Sequence, residues 1–278
     1  MTYPVDWVDN VPTDQEARTL DLHLRKGDVY FIIHHSVTTR VQDTIATFKS
    51  DREVSANFAI GPIVSGGDDI KVVLTVPESR RAWTSASPLD DRALTTEVCD
   101  QALGGSYPIS QNAKEILAHI AAYMHAEYAM PLDRVHILTH QEVYSRGYGS
   151  YATACAGPDM QASMDWIVAR ATELITKVNK EIDMANQRIV ADPRNGILYY
   201  MDTNTGVAPV SKNIDKNMDN ATVVAALNGA YGQYYTPKSG WEFDVLKALT
   251  ERRAADVQAA LVAAVSKSLT PIATPGAK

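Results

Sequence analysis

The stretch GDVYFIIHHSVT, residues 27–38, constrains the fold more than any other part of the chain. Its β-branched and aromatic residues run almost without polar interruption, the pattern of a strand buried on both faces. Such a strand needs neighbours in a sheet and layers above and below it. It also ends in two adjacent histidines, His34 and His35, whose side chains leave on opposite faces. The two rings therefore cannot share one task, and alternation alone does not say which of them is functional.

The segments that follow supply the rest of such a sheet. A short helix is expected over Val41–Ser50, then strands over 55–64 (SANFAIGPIV), 70–76 (IKVVLTV) and 93–99 (ALTTEVC), with SGGDD as the turn between the first two. Ile116, Ile120, Tyr123 and Met124 recur at helical spacing behind Ser110, a suitable N-cap, so 110–128 reads as helix. RVHILTH, 134–140, reads as another buried strand. After the loop VYSRGYGSYATACAGPD, residues Met164, Ile167, Ala171, Leu174 and Val178 keep the period of a long amphipathic helix.

The polar stretch NKEIDMANQ reads as a linker, which divides the chain into domains 1–180 and 187–278. Beyond it, GILYYMDTNTGVAPV suggests a hairpin turning near Asn204–Gly206. A helix is expected at Asn220–Leu227, then a Tyr-rich loop, GAYGQYYTPKSGW, and an Ala-rich helix from about Phe243 to Ser266. The final TPIATPGAK reads as frayed.

Charge and cysteine usage exclude several classes. Residues 1–186 carry 16 Lys+Arg against 25 Asp+Glu, whereas 187–278 carry 10 against 8. An acidic main segment without basic clusters argues against nucleic acid, whose binding rests on neutralised phosphates. No run of about 18 apolar residues argues for membrane insertion. The opening MTYPVDWVDNVPTDQEA lacks the basic-then-apolar pattern of a secretory signal, so synthesis in a cytoplasm is expected. Cys99 and Cys155 are too few for a disulfide scaffold and must be judged by their neighbours.

Three places put metal-ligating side chains at the ends of β-rich runs: His34/His35, His140 and Cys155. Two histidines and a thiolate suit zinc with an open fourth position, although each residue taken alone reads more readily as an ordinary core, strand or loop residue. The local sequences add more. IIHHSVT, VSANFAI, RAWTSASPLDDRALTTEV, ILTHQEV and TACAGPD, in that order, resemble the zinc-dependent N-acetylmuramoyl-L-alanine amidases. That family includes phage lysins, bacterial cell-wall amidases and animal peptidoglycan-recognition proteins. The resemblance spans roughly residues 27–175.

The resemblance implies an α/β fold: a mixed central β-sheet flanked by helices, followed here by a smaller C-terminal α+β domain. It implies one Zn2+ per chain on His34, His140 and Cys155, at one edge of the sheet, and hydrolysis of the amide between N-acetylmuramic acid and L-alanine. His35 is left as a packing or hydrogen-bonding residue. The family's base is either a tyrosine or a glutamate; the tyrosine position is Ala56, so the base role falls to Glu97. Thr153 stands where several relatives have an oxyanion-stabilising lysine, and brings a hydroxyl without charge. Trp83 matches an aromatic that lines the substrate cleft, and serves equally well as a packing residue. Asn57 and Ala156 replace the usual His and Pro and leave that wall of the cleft undefined.

The implied partner is bacterial peptidoglycan, and the implied setting is a phage lysin held in the host cytoplasm until it is released to the wall. By analogy of architecture the tail would contact wall polymer through Tyr199, Tyr200, Tyr231, Tyr234, Tyr235 and Trp241, residues that serve equally well as core. His23, His119 and His125 read as solvated or helix-surface residues. His136 shares strand parity with His140, which would allow a place below the site, but core packing is the favoured reading. Two other functions stay open: a cysteine-type wall peptidase, and a peptidoglycan binder of the same fold that does not hydrolyse.

Overall fold

A computed structural model of the chain describes residues 22, 24–183, 187–209, 237 and 240–268. The chain divides into two compact units, Met1–Lys177 and Val178–Lys278.

The first unit is built on five strands, β1 (Tyr30–His35), β2 (Phe58–Pro62), β3 (Ile70–Leu74), β4 (Ala93–Val98) and β5 (Ile137–Thr139), in the order β3-β2-β4-β1-β5. Only the β2–β3 pairing is antiparallel, so the sheet is mixed, as expected. The apolar run lies in an interior strand, where Phe31, Ile32 and Ile33 are fully enclosed. On one face Tyr30 and Ile32 pack with Leu89, Ala93, Leu138 and Val143. Phe31, Ile33 and Leu94 are buried on the other.

Four helices accompany the sheet: α1 (Val41–Phe48), α2 (Gln111–Tyr128), α3 (His140–Ser145) and α4 (Gly157–Asp183). Ser110 caps α2 as expected, its hydroxyl accepting from the Ala113 amide at 3.1 Å. Helix α2 buries Ile116, Leu117, Ile120 and Met124, and α4 buries Met160, Met164, Ile167 and Ala171. Lys114 with Asp159, at 2.8 Å, and Arg170 with Glu115, at 2.6 Å, tie the two helices together.

Several expectations change. The strand expected over 134–140 is only Ile137–Thr139, because both flanks are capped. Asp133 accepts from the amides of Val135 and His136, and Thr139 and Glu142 form a reciprocal capping box that starts α3. His140 therefore opens a helix, and strand parity does not extend to it. His136 lies away from His140, its ring centroid 5.2 Å from that of Tyr30 and its Nδ1 2.8 Å from Asp133. His119 is buried rather than solvated, with Nε2 3.5 Å from Glu115. His125 bonds the Met130 carbonyl beyond the helix end at 2.8 Å. His23 lies outside the described residues.

In the second unit, β6 (Gln187–Ala191), β7 (Leu198–Asp202) and β8 (Gly206–Pro209) form an antiparallel sheet, and α5 runs from Gly240 to Ser268. The expected hairpin is β7–β8. Its turn is fixed by Asp202, which accepts from the amides of Asn204 and Thr205, and by Gly206 at φ +96. Arg194 bridges Asp192 and Asp244, each at 2.9 Å. Tyr199 packs on Phe243 with centroids 5.1 Å apart, and Tyr200 donates to Asp202 at 2.9 Å. The helix expected at Asn220–Leu227, and Tyr231, Tyr234 and Tyr235, lie outside the described residues. No helix among the described residues is long and apolar enough to cross a membrane.

Candidate metal centre

Parallel pairing of β1 with β4 sets His34 directly beside Glu97, so both side chains emerge on one face at the carboxyl ends of two interior strands. This is the sheet end where open α/β folds place their ligands, and it is not the sheet edge expected from the sequence. His140 arrives from the first turn of α3 and Cys155 from the loop before α4. The Gln141 amide donates to the Cys155 carbonyl, which joins those two segments.

The ligating atoms of His34, His140 and Cys155 all lie within 4.8 Å of one another. Cys155 Sγ is 3.5 Å from His34 Nδ1, and the two histidine rings are 4.4 Å apart at their centroids. Glu97 joins them, with Oε1 3.8 Å from His34 Nδ1. Glu97 Oε2 and His34 Nε2 are buried and have no hydrogen-bond partner among the described residues.

Burial dominates the electrostatics. It holds His34 well below the usual imidazole range, with the charges of His140 and His35 acting in the same direction. Burial also holds His140 down, against the opposing effect of its bond to the Ser85 backbone. Both rings are therefore neutral near pH 7, the form that binds a metal. Burial, and then the charge of Glu97, push the Cys155 thiol up. Burial, and then the charge of Asp100, push Glu97 up to about 8.

This donor set fits zinc. A nitrogen and a sulfur on one tetrahedral zinc stand about 3.5 Å apart, the separation His34 and Cys155 already have. The Ser85 backbone acts on the His140 imidazole, and Asp90 holds that loop. The buried Asp90 carboxyl accepts from the Ser85 amide at 3.1 Å, the Ser85 hydroxyl at 2.5 Å and the Thr84 amide at 3.4 Å.

The remaining expected residues separate. The Thr153 hydroxyl accepts from the Cys155 amide at 3.2 Å, so its own hydrogen is left to donate. Trp83 is 37% exposed, with its backbone amide bonded to the Ser55 hydroxyl at 3.0 Å. Ala56 is fully buried beside Ala59 and Cys99. Asn57 is fully enclosed: it accepts from the Thr95 amide at 3.0 Å and donates to the carbonyls of Val76, Pro77 and Arg80. It braces the sheet and forms no part of an open cleft wall. Ala156 is also fully buried.

Sequence reasoning missed Ser85, Asp90 and Tyr151. Tyr151 presents its ring edge-on to His140, centroids 5.7 Å apart, and is 48% exposed. The SASPLDD stretch did carry a signal: Ser87 caps a short 3-10 turn, Pro88–Arg92, with Pro88 at its start.

Two neutral imidazoles, a thiol and a buried carboxyl at the end of a mixed sheet make a centre suited to hydrolysis. Residues 27–158 match the family described as N-acetylmuramoyl-L-alanine amidase, and the chain carries a domain of that family, a peptidoglycan amidase. Among solved structures, the chain is similar to the one titled "Structure of PlyL" (17% identity, TM-score 0.44, covering 59% of this chain and 96% of that one). It is similar also to the Staphylococcus aureus hydrolase AmiA in complex with its ligand (14%, 0.44, 61% and 86%) and to Drosophila PGRP-LB (15%, 0.39, 58% and 90%). No curated protein matches the chain.

Proposed function

We propose that the first unit cleaves the amide between the lactyl group of N-acetylmuramic acid and L-alanine with His34, His140 and Cys155 holding one zinc ion. The observation that carries this reading is the gathering of those three side chains within 4.8 Å. Bound there, zinc would supply Lewis acidity, lowering the pKa of water and polarising the scissile carbonyl. Glu97 takes the proton of the attacking water and returns it to the leaving amine. A carboxyl beside the cluster rather than in it suits both transfers, and a bound cation there would lower the pKa that burial raises to about 8, favouring the form that accepts a proton. Thr153 donates its hydroxyl hydrogen to the developing oxyanion, without the charge a lysine would bring. Trp83 lines the substrate side of the cleft.

The closeness of Cys155 to His34 favours a second reading, a Cys–His peptidase dyad. The thiol argues against it: a nucleophilic cysteine needs a lowered pKa, and burial raises this one. Chelation separates the readings. Activity lost with a chelator and regained with zinc supports the amidase, whereas sensitivity to alkylation alone supports the peptidase. A chain that binds walls and releases no new ends would be a binder only.

The finer setting is a phage lysin, made in the host cytoplasm and released to the wall at lysis, with residues 187–278 as a wall-binding domain. Support for the tail's role is its content of aromatics. Within the described part, Tyr199 and Tyr200 are already engaged with Phe243 and Asp202, so wall contact would fall to the others. Failure of a 187–278 fragment to sediment with purified walls would end this reading.

A further inference from the structure

His35, adjacent to a proposed ligand, is occupied by a partner of its own. Its Nδ1 lies 3.1 Å from Oδ1 of Asp100, whose carboxyl is completely enclosed. Asp100 is the second residue after β4, and its amide donates to the Thr38 carbonyl at 2.8 Å, which ties the end of β4 to the chain leaving β1. A buried carboxyl is costly unless it is paired, and an apolar residue would fill the same space at less cost. Its presence therefore calls for a reason beyond packing.

The same edge of the His35 ring also faces Gly157. A Cβ placed on Gly157 would stand 3.3 Å from His35 Cε1 and 3.4 Å from Nδ1, so the ring fills the space that a side chain at 157 would need. Tyr107 meets the same ring edge-on, centroids 4.9 Å apart. Gly157, at φ +78, is the first residue of α4 and stands two residues after Cys155. The carbonyl of His35 also faces Cys155 Sγ at 3.9 Å. The imidazole is thus oriented by Asp100 within the space beside the turn that presents Cys155.

We infer that His35 and Asp100 form a positioning pair that fixes Cys155 relative to His34 and thereby sets the affinity of the centre for its metal. Asp100 locks the rotation of the ring, and the ring holds Gly157 and the turn before α4 at the distance that brings Sγ to His34. Neither residue touches metal or substrate. The inference rests on Cys155 being a ligand.

Cobalt(II) bound to the full-length chain tests it, because thiolate-to-cobalt charge transfer reports the sulfur and the visible bands report the coordination number. Asp100→Ala should weaken cobalt binding about 10- to 100-fold, the usual cost of losing a partner behind a ligand. It should also reduce the charge-transfer band relative to the visible bands. Asp100→Asn, which keeps a hydrogen-bonding group against His35, should restore most of both. If Asp100→Ala fails to fold, His35→Asn, which removes the spacing ring, should give the same loss. A folded Asp100→Ala or His35→Asn chain with unchanged cobalt affinity and an unchanged sulfur band would overturn the inference, leaving the pair a purely structural role. Cys155→Ser serves as the separate control: if it leaves the cobalt spectrum of the otherwise unaltered chain intact, the reading of Cys155 as ligand fails first.

Discussion

His34 and His35 show how far one residue's neighbours decide its chemistry. They are adjacent and identical, yet one faces His140, Cys155 and Glu97 while the other faces Asp100 and Gly157. Glu97 is placed by strand register alone, opposite His34. Replacing Glu97 with Gln removes the proton shuttle and leaves the proposed ligands untouched. Hydrolysis should fall by about 10²- to 10⁴-fold while zinc content is unchanged; near-normal turnover would sink the assignment. Asp90→Ala should act differently. With Ser85 released, the backbone beside His140 is no longer held, so metal affinity should fall along with activity, as read by competition with a chromophoric chelator. The opposition of His34 and His35 was legible from strand alternation, and the choice between them came from family resemblance. Asp90 and Asp100 were not legible. Asp90 binds Thr84 and Ser85 through a tight loop whose shape the residue pattern does not give, and Asp100 meets His35 at a separation of 65 residues, which only the pairing of β1 with β4 closes.

At the scale of elements, the ends matter more than the middles. The interior of β1, of α2 and of α4 followed directly from apolar periodicity, because burial of a stripe or of two faces leaves a regular mark. The start of α3 did not, since a capping box overrides the strand character of HILTH, and that override moves His140 from a strand to a helix N-terminus. Gly157, at the start of α4, is another such end. Gly157→Ala combines a left-handed φ with close approach to His35 and Tyr107, and should lower unfolding free energy by at least about 1–2 kcal/mol in urea titrations. Ser110→Ala should cost about 1 kcal/mol through the lost cap of α2. Glu78 supplies a pH-dependent contact with that helix. It accepts from Tyr123 and Tyr128, and burial raises its pKa. The folded state thus keeps a proton that the unfolded chain has already lost, so this group's contribution is greatest below the ordinary carboxylate range and declines as pH rises through and above it. Glu78→Gln should flatten that decline in melting temperature measured across acid to neutral pH; an unchanged profile would assign the slope to other groups.

For the whole molecule, the acidic first unit and the slightly basic remainder match a division into an amidase domain and a separate second unit. The amidase domain was legible because five short motifs, spread over some 130 residues, had to be satisfied by one sheet. The second unit offered only a hairpin, an Ala-rich helix and scattered tyrosines, patterns that any small α+β unit shares, so its task was not readable. Its aromatics are used internally where they are described, through Phe243 and Asp202. The central claim concerns the first unit: that His34, His140 and Cys155 hold a zinc ion which makes this chain an amidase. Its most direct test is the identity of the ends released from defined peptidoglycan by the full chain, as purified, after chelation, and after zinc is restored. The account predicts free L-alanine amino termini with the glycan strands intact, abolished by chelation and recovered with zinc. New reducing ends, or release that survives chelation but is stopped by alkylating Cys155, would contradict it.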